Sequence, residues 1–561
     1  MRFIPFLFLI FSFYGSAQHH YPQDYFGSPL QIPLILSGTF AELRTNHFHS
    51  GLDIKTQQRI GLKALACADG FVSRIKISHY GYGKALYITH PNGYTTVYGH
   101  LNEFSPIIES YIKKRQYEKE SYEIELFPNA EELPVKKGEL VAYTGNSGGS
   151  GGPHLHFEIR DKEEHPMNPM LFGIDVKDTT KPVASSIYAY PIGESASVNK
   201  SISKQKLKLT PIKNGEYVTE SITAHGEIGF GINTTDRLDL AANSNGVYNI
   251  QTYLNGSQIF EIDYKQFSFD ETLRINGLID YEHFKINKER VQKLFNDKNV
   301  LSLYKNSKNN GILNVADSTS YVYKIKVSDF KNNTTSITIP IKGLKNSDTI
   351  IRKIKTTPYF INANGNTNLK EGHVSVDIYP DTFYDNLYLD FEVKNDTLYL
   401  GEDIIPLKKT FNINYDISAY SDSDKSKLYI ARLMGYKKYP LYESSKRKGN
   451  TLTCSTKNLG TFALAMDTDK PTITPVNFKK DQWISDYRYL KIKIDDATSG
   501  ISNYRATIND QWILMEYDYK TKMLTYDFND AISTETKNNL KVVVTDNVGN
   551  SATFETSFYR K

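Results

Sequence analysis

Gly145-Asn-Ser-Gly-Gly-Ser-Gly-Gly-Pro-His-Leu-His-Phe-Glu-Ile-Arg160 runs a glycine-rich loop into two histidines spaced two residues apart. From His156 to Arg160 apolar and polar residues alternate, which predicts a strand with one buried face. Side chains two apart on a strand share a face, so His154 and His156 are expected to enter one site. Two imidazoles placed this way suit zinc, or one ligand beside one base. Upstream, His49-Ser-Gly-Leu-Asp53 adds an imidazole and a carboxylate, with Gly51 allowing a tight turn. His49, Asp53 and His156 would supply three protein ligands and leave a fourth tetrahedral position for water, which is the pattern of a catalytic rather than a closed structural zinc site. Between these halves Thr95-Thr-Val-Tyr-Gly-His-Leu101 reads as a strand ending in His100.

Short strands must position these residues. From Leu36 to Phe172 the chain alternates strand-like runs with the turn signals Ala68-Asp-Gly70, Gly81-Tyr-Gly83, Pro91-Asn-Gly93 and Lys136-Lys-Gly138. The expectation is a compact antiparallel β-sheet domain over 37–175, preceded by an extended lead-in at 18–36 in which Pro22, Pro29 and Pro33 disfavour helix. A charged insertion at 102–133 places Ile107, Ile108, Tyr111 and Ile112 at helical spacing, so part of it is expected to form an amphipathic helix. Because it follows His100 directly, it is a candidate rim or lid over the cleft. The glycine run 145–152 lacks the Gly-Lys-Ser/Thr ending of a phosphate loop and opens a strand, so its expected role is close backbone approach to a substrate.

Three motifs in order, His49-Ser-Gly-Leu-Asp53, Tyr98-Gly-His-Leu101 and His154-Leu-His156-Phe-Glu158, resemble those of the LytM/lysostaphin-type zinc metallopeptidases, which cut peptide cross-links in bacterial peptidoglycan. Ala68-Asp-Gly-Phe-Val72, Gly81-Tyr-Gly83, His90-Pro-Asn-Gly93 and Asn168-Pro169 add to the resemblance, which covers residues 37–172. It implies one Zn2+ per chain on His49, Asp53 and His156. The metal would polarise the scissile carbonyl and lower the pKa of a water to about 7. It implies that His154 is the general base and that His100 donates to the developing oxyanion. The insertion departs from the family, whose members join these strands by a shorter connection. His47 is a candidate cleft residue, whereas His19, His20, His79, His90 and His165 read as structural or exposed.

With 561 residues the chain is expected to hold several domains. Its formal net charge of +4 argues against dedicated nucleic-acid binding. Met1-Arg2, an apolar run over 3–14 and Gly15-Ser-Ala17 read as a signal peptide at 1–17, which predicts a periplasmic or secreted protein without stable membrane insertion. Cys67 and Cys454 fall in different expected domains and are read as unpaired, with Cys67 a buried small hydrophobe.

Beyond 175 the reading is mainly β, with immunoglobulin-like β-sandwich modules. The expected divisions are 176–345, a middle module at 346–466, and 467–561. Asp178-Thr-Thr-Lys-Pro182 is echoed by Asp467-Thr-Asp-Lys-Pro471. Each opens a region that closes on a strand and a polar turn, ending Asp329-Phe-Lys-Asn-Asn333 in one and Asp546-Asn-Val-Gly-Asn550 in the other. Ile286–Lys298, with Val291, Leu294 and Phe295, is expected to be the one convincing helix in this part.

The leading functional expectation is an exported zinc endopeptidase acting on peptidoglycan peptides, with C-terminal modules that bind wall or protein partners or act as spacers. Two readings compete with it: a non-catalytic regulator of the same fold, and a zinc peptidase acting on proteins.

Overall fold

A computed structural model describes residues 21–344, 356–530 and 535–561. The expected signal peptide, the first residues of the lead-in and the division at 345/346 lie outside the described residues. The fold is mainly β. Cys67 and Cys454 are both buried and free. Among the described residues no helix is long and apolar enough to cross a membrane.

The site-bearing sheet is antiparallel and runs, strand by strand, Leu36–Gly38, Leu52–Lys55, His154–Arg160, Thr95–Gly99, Lys84–Thr89, Gly70–Ile77 and Ile124–Leu126. The His154–Arg160 strand shows why its register is fixed. Leu155, Phe157 and Ile159 are fully buried in the core, and the intervening His154, His156 and Glu158 take the other face. Each of those apolar side chains is worth about 1.5–3 kcal/mol when buried. A one-residue slip would exchange them with two histidines and a carboxylate, so the alternative register is strongly disfavoured.

The insertion forms the helix Pro106–Lys119, opened by proline in its first turn and ended by Glu120 in the left-handed region. Ile108, Ile112 and Gln116 are buried against the sheet domain, as the spacing predicts. The neighbouring face, one residue around the helix, meets residues 512–530. Lys113 Nζ lies 2.6 Å from Asp530 Oδ1, Tyr117 donates to Asp530 Oδ2 at 2.8 Å, and Tyr117 packs edge-on against Trp512. Nearby, Lys84 Nζ sits 2.8 Å from Glu516 and Tyr80 packs on Tyr519.

Among the described residues three large apolar cores stand beside a small cluster of Ala85, Tyr87 and Val97. One runs without a break from Phe26 to Ile341, through both the site-bearing sheet and the larger sheet that follows it. The others gather residues between Ile361 and Phe462, and between Phe478 and Phe558. The expected helix at Ile286–Lys298 is not formed. A helix covers Tyr281–Asn287 instead and stops at Lys288, which has φ 61°. The chain then runs extended, pairing Gln292 and Lys293 with Ile232 and Gly231. Val291, Leu294 and Phe295 are buried from this extended segment. Glycines on the facing strand make the room: a Cβ at Gly229 would lie 2.4 Å from the Phe295 ring. The helical spacing of these apolar residues therefore reflects a bent strand packed onto glycines.

Candidate metal centre

His156 is flanked by two strands. Across one side its Cα partner is Asp53 and across the other it is Gly99. A Cβ on Gly99 would come within 3.3 Å of the His156 Cβ, so glycine lets the imidazole stand between the strands. Gly51 is tighter still, because a Cβ there would lie 2.3 Å from the Phe157 carbonyl oxygen. The turn carrying His49 can reach the sheet only with no side chain at that position.

These constraints bring His49 Nε2, Asp53 Oδ1 and His156 Nδ1 together. The histidine nitrogens each lie 2.9 Å from the carboxylate oxygen and 3.1 Å from one another. Outer contacts aim the rings. His49 Nδ1–H donates to the Thr39 carbonyl at 2.7 Å, which turns Nε2 inward. His156 Nε2–H donates to Glu158 Oε1 at 2.7 Å, which turns Nδ1 inward. Glu158 is fully buried and also accepts from Ser50 (2.6 Å), Tyr82 (2.5 Å) and Arg160 Nε (2.6 Å). Arg44 Nη2 lies 3.2 Å from Asp53 Oδ2, so the second carboxylate oxygen is held away from the cluster.

The electrostatics follow from these contacts. Burial pushes the Asp53 carboxyl up, but His49, His154 and His156 outweigh it and hold Asp53 well below the usual carboxylate range. Burial pushes His156 down, yet hydrogen bonds to Asp53 and Glu158 raise it to about 9. Burial likewise raises Glu158, and the Arg160 guanidinium and His156 overcome it, so Glu158 stays ionised. Two imidazole nitrogens and a carboxylate oxygen converge, each ring fixed by a partner on its far side. This donor set fits a divalent metal of the zinc type.

The two remaining histidines stand beside this group. His154 Nε2 is 3.3 Å from Asp53 Oδ1, and its Nδ1–H donates to the Gly152 carbonyl at 2.8 Å. The His100 and His154 ring centroids are 4.8 Å apart. His100 adopts φ 58°, and its Nδ1–H donates to the Ser147 carbonyl at 2.8 Å. Burial first, then its neighbours His156 and His154, lower His100 to about 3. The ring is thus neutral with a bare Nε2, and it becomes a donor on that side only after gaining a proton. All five residues singled out from the sequence meet here. His47 does not join them; its Nδ1 bonds the Thr45 carbonyl.

A cleft of about 670 Å³ opens beside His154 and Asp53, lined by Ile32, Pro33 and Ile35 of the lead-in, Arg44, Gly151–Pro153 and Leu240. None of the residues 102–133 borders it. The insertion instead carries the C-terminal segment, which reaches the far side of the glycine loop: Lys520 Nζ donates to the Ser150 carbonyl at 3.2 Å and Tyr519 to the Gly148 carbonyl at 3.4 Å. Arg44 lies outside the sequence motifs, whereas Ser50 and Tyr82 fall within His49-Ser-Gly-Leu-Asp53 and Gly81-Tyr-Gly83 without a role read for them. Glu158 was quoted there only as part of a motif, though its place two residues after His156 already puts it on the same strand face.

Residues 47–117 and 128–169 match the model of Peptidase family M23, and 358–467 match that of the Zu5-like domain. The DD-carboxypeptidase/endopeptidase Mpg of Neisseria meningitidis serogroup B is 32% identical over 139 residues, which is 25% of this chain and 26% of that protein. The cell division protein DipM of Caulobacter vibrioides is 28% identical over 158 residues, 28% of this chain and 20% of that protein. The match therefore spans about a quarter of these relatives or less. Among solved structures, the catalytic domain of lysostaphin from Staphylococcus simulans is 19% identical, covering 25% of this chain and 93% of that one, with a TM-score of 0.19. The match to the Peptidase family M23 model and the partial matches to Mpg and DipM support the resemblance to LytM/lysostaphin-type peptidases read from the three sequence motifs.

Proposed function

We propose that the chain is an exported zinc metalloendopeptidase that hydrolyses peptide cross-links of bacterial peptidoglycan. The observation that carries this reading is the convergence of His49 Nε2, Asp53 Oδ1 and His156 Nδ1, with His154 and His100 on one side of it. His49, Asp53 and His156 would hold one zinc ion. When bound, zinc supplies Lewis acidity that polarises the scissile carbonyl and acidifies water.

The protein's own groups then divide the proton work. The Gly152 carbonyl keeps the His154 proton on Nδ1 and leaves Nε2 free to take a proton from the attacking water. As the C–N bond breaks, that proton passes to the leaving amine and the new C–O bond completes the carboxyl product. Negative charge growing on the carbonyl oxygen favours the protonated form of His100, whose Nε2–H can then donate to it. The open glycine loop allows an extended peptide to approach backbone to backbone.

Purified sacculi digested with residues 18–561, with zinc quantified and muropeptides read by mass spectrometry, test this reading beside His154→Ala. Release of uncross-linked muropeptides by the wild type, and none by a variant that keeps its zinc, is the expected result. Zinc bound at one per chain without cleavage would move the activity away from peptidoglycan, and no zinc would refute the site.

A further inference from the structure

The repeated aspartate motifs are not absorbed by the peptidase reading. Asp178, Asp236 and Asp329 are 8%, 3% and 2% exposed, and a carboxylate oxygen of each lies within 4.8 Å of the others. Sheet register brings them together. Val183 pairs with Thr235, which sets Asp236 just past the strand end beside the incoming Asp178 segment. Asn333 closes the far side: its backbone N–H donates to Asp329 Oδ1 at 2.9 Å, and its side chain donates to the Asp178 carbonyl at 3.3 Å.

Asp467, Asp496 and Asp546 repeat this skeleton. Thr472 pairs with Asp495, again one residue before the second aspartate. Asn550 donates from its backbone to Asp546 Oδ1 at 2.8 Å and from its side chain to the Asp467 carbonyl at 2.9 Å. The two clusters differ in how the carboxylates are satisfied. In the second, the backbone N–H groups of Thr498, Ser499 and Gly500 all donate to Asp496 Oδ1, and that of Ser499 also reaches Asp467 Oδ2. In the first, Asp236 Oδ1 and Asp329 Oδ2 are buried with no hydrogen-bond partner. The nearby lysines are engaged elsewhere, Lys177 with Asp239, Lys331 with Asp175 and Lys181 with the Asn214 carbonyl.

Two buried, unpartnered carboxylate oxygens facing a third carboxylate are relieved by a bound cation or, without one, by taking up a proton. From this geometry we propose that Asp178, Asp236 and Asp329 form a calcium site that ties the first β module to the peptidase-like domain. An all-oxygen donor set selects a hard cation, and calcium tolerates an irregular shell completed by carbonyls and water. A cavity of about 20 Å³ borders the trio, roughly the room of one water or ion. Thr39, Phe40 and Asn168 of the sheet domain line it together with Gly246 of the β module. Thr39 also exchanges hydrogen bonds with Gly246 at 3.0 and 3.2 Å and accepts the His49 bond. The cation therefore stiffens the same loop that aims His49. Without it, burial and the neighbouring carboxylates push Asp236 and Asp329 up.

Calcium titrated calorimetrically into the zinc-supplied full chain, alongside thermal unfolding with and without calcium, tests the site. The wild type should bind calcium in the range of extracellular modules, about 10⁻⁴–10⁻³ M, and unfold a few degrees higher when it is present. Asp236→Asn with Asp329→Asn should lose one equivalent of calcium and the calcium-dependent shift. Its midpoint in calcium-free buffer should equal or exceed that of the wild type, because a repulsion has been removed. A wild type that binds no calcium, or a variant that keeps the wild-type equivalents and shift, would overturn the proposal. Should the double variant fail to fold, Asp178→Asn in the same titration decides between the same two outcomes.

Discussion

Asp53 and His156 face each other as paired residues on neighbouring strands, and Asp53 Oδ1 lies 2.9 Å from His156 Nδ1. The sheet itself therefore sets the distance between two of the three proposed ligands. The third, His49, arrives on a turn that depends on Gly51. Gly51→Ala should accordingly cost about 1–3 kcal/mol in stability through the clash with the Phe157 carbonyl, and weaken zinc binding as His49 is displaced. Denaturant unfolding and a zinc-competition assay check both effects.

Glu158 fixes the His156 ring from behind without entering the cleft. Glu158→Gln should weaken zinc affinity about 10–100-fold, because the hydrogen bond that orients Nδ1 becomes neutral. It also takes one of two carboxylate partners from the buried Arg160 guanidinium, which keeps Glu164 at 3.1 Å, and is expected to cost about 1–3 kcal/mol. Zinc competition and thermal unfolding should move together in this variant, whereas His154→Ala should leave zinc affinity nearly unchanged.

His100 gives a pH signature in stability. Its folded value of about 3 lies below the unfolded value of about 6.5. Below pH 6.5 the unfolded chain takes up a proton that the folded protein refuses, so stability falls between about pH 6.5 and 3. Above pH 6.5 both states are neutral and the contribution is flat. His100→Gln should flatten the acid side of the stability curve, measured by unfolding at a series of pH values on protein without zinc.

Docking of the C-terminal segment hinges on Asp530, whose side chain is 4% exposed and bonded to both Lys113 and Tyr117. Lys113→Met with Tyr117→Phe strands that carboxylate and should destabilise the docked state by about 3–5 kcal/mol. Hydrogen exchange should then accelerate at Gly148–Ser150, the loop held by Tyr519 and Lys520. Unchanged exchange there would mean that the docking does not steady the loop.

What could be read in the sequence was what local pattern controls. The alternation in His154–Arg160 yields the strand, its buried face and the shared face of the two histidines. The insertion helix follows from Ile108 and Ile112 one turn apart. What could not be read depended on distant partners. Val291, Leu294 and Phe295 mimic a helix because the glycines that receive them lie some sixty residues earlier, on the strand Ile222–Thr235. Arg44 reaches Asp53 only because the loop before His49 folds back over the strand Leu36–Gly38. The left-handed backbone at His100 turns the chain from one sheet into the next, and no residue type there announces it.

Lys113 and Asp530 are separated by 417 positions along the chain. A contact of such span forms late, after the intervening modules have closed, because the loop entropy must be met before the contact can repay it. During synthesis the helix Pro106–Lys119 thus emerges long before its cover, with Tyr117 and the Lys84 ammonium still open to solvent. The wall of the glycine loop takes its final shape only when the segment carrying Tyr519 and Lys520 has folded against it. A nascent or clipped chain can hold the whole histidine cluster and still differ from the finished protein in how firmly that loop is set.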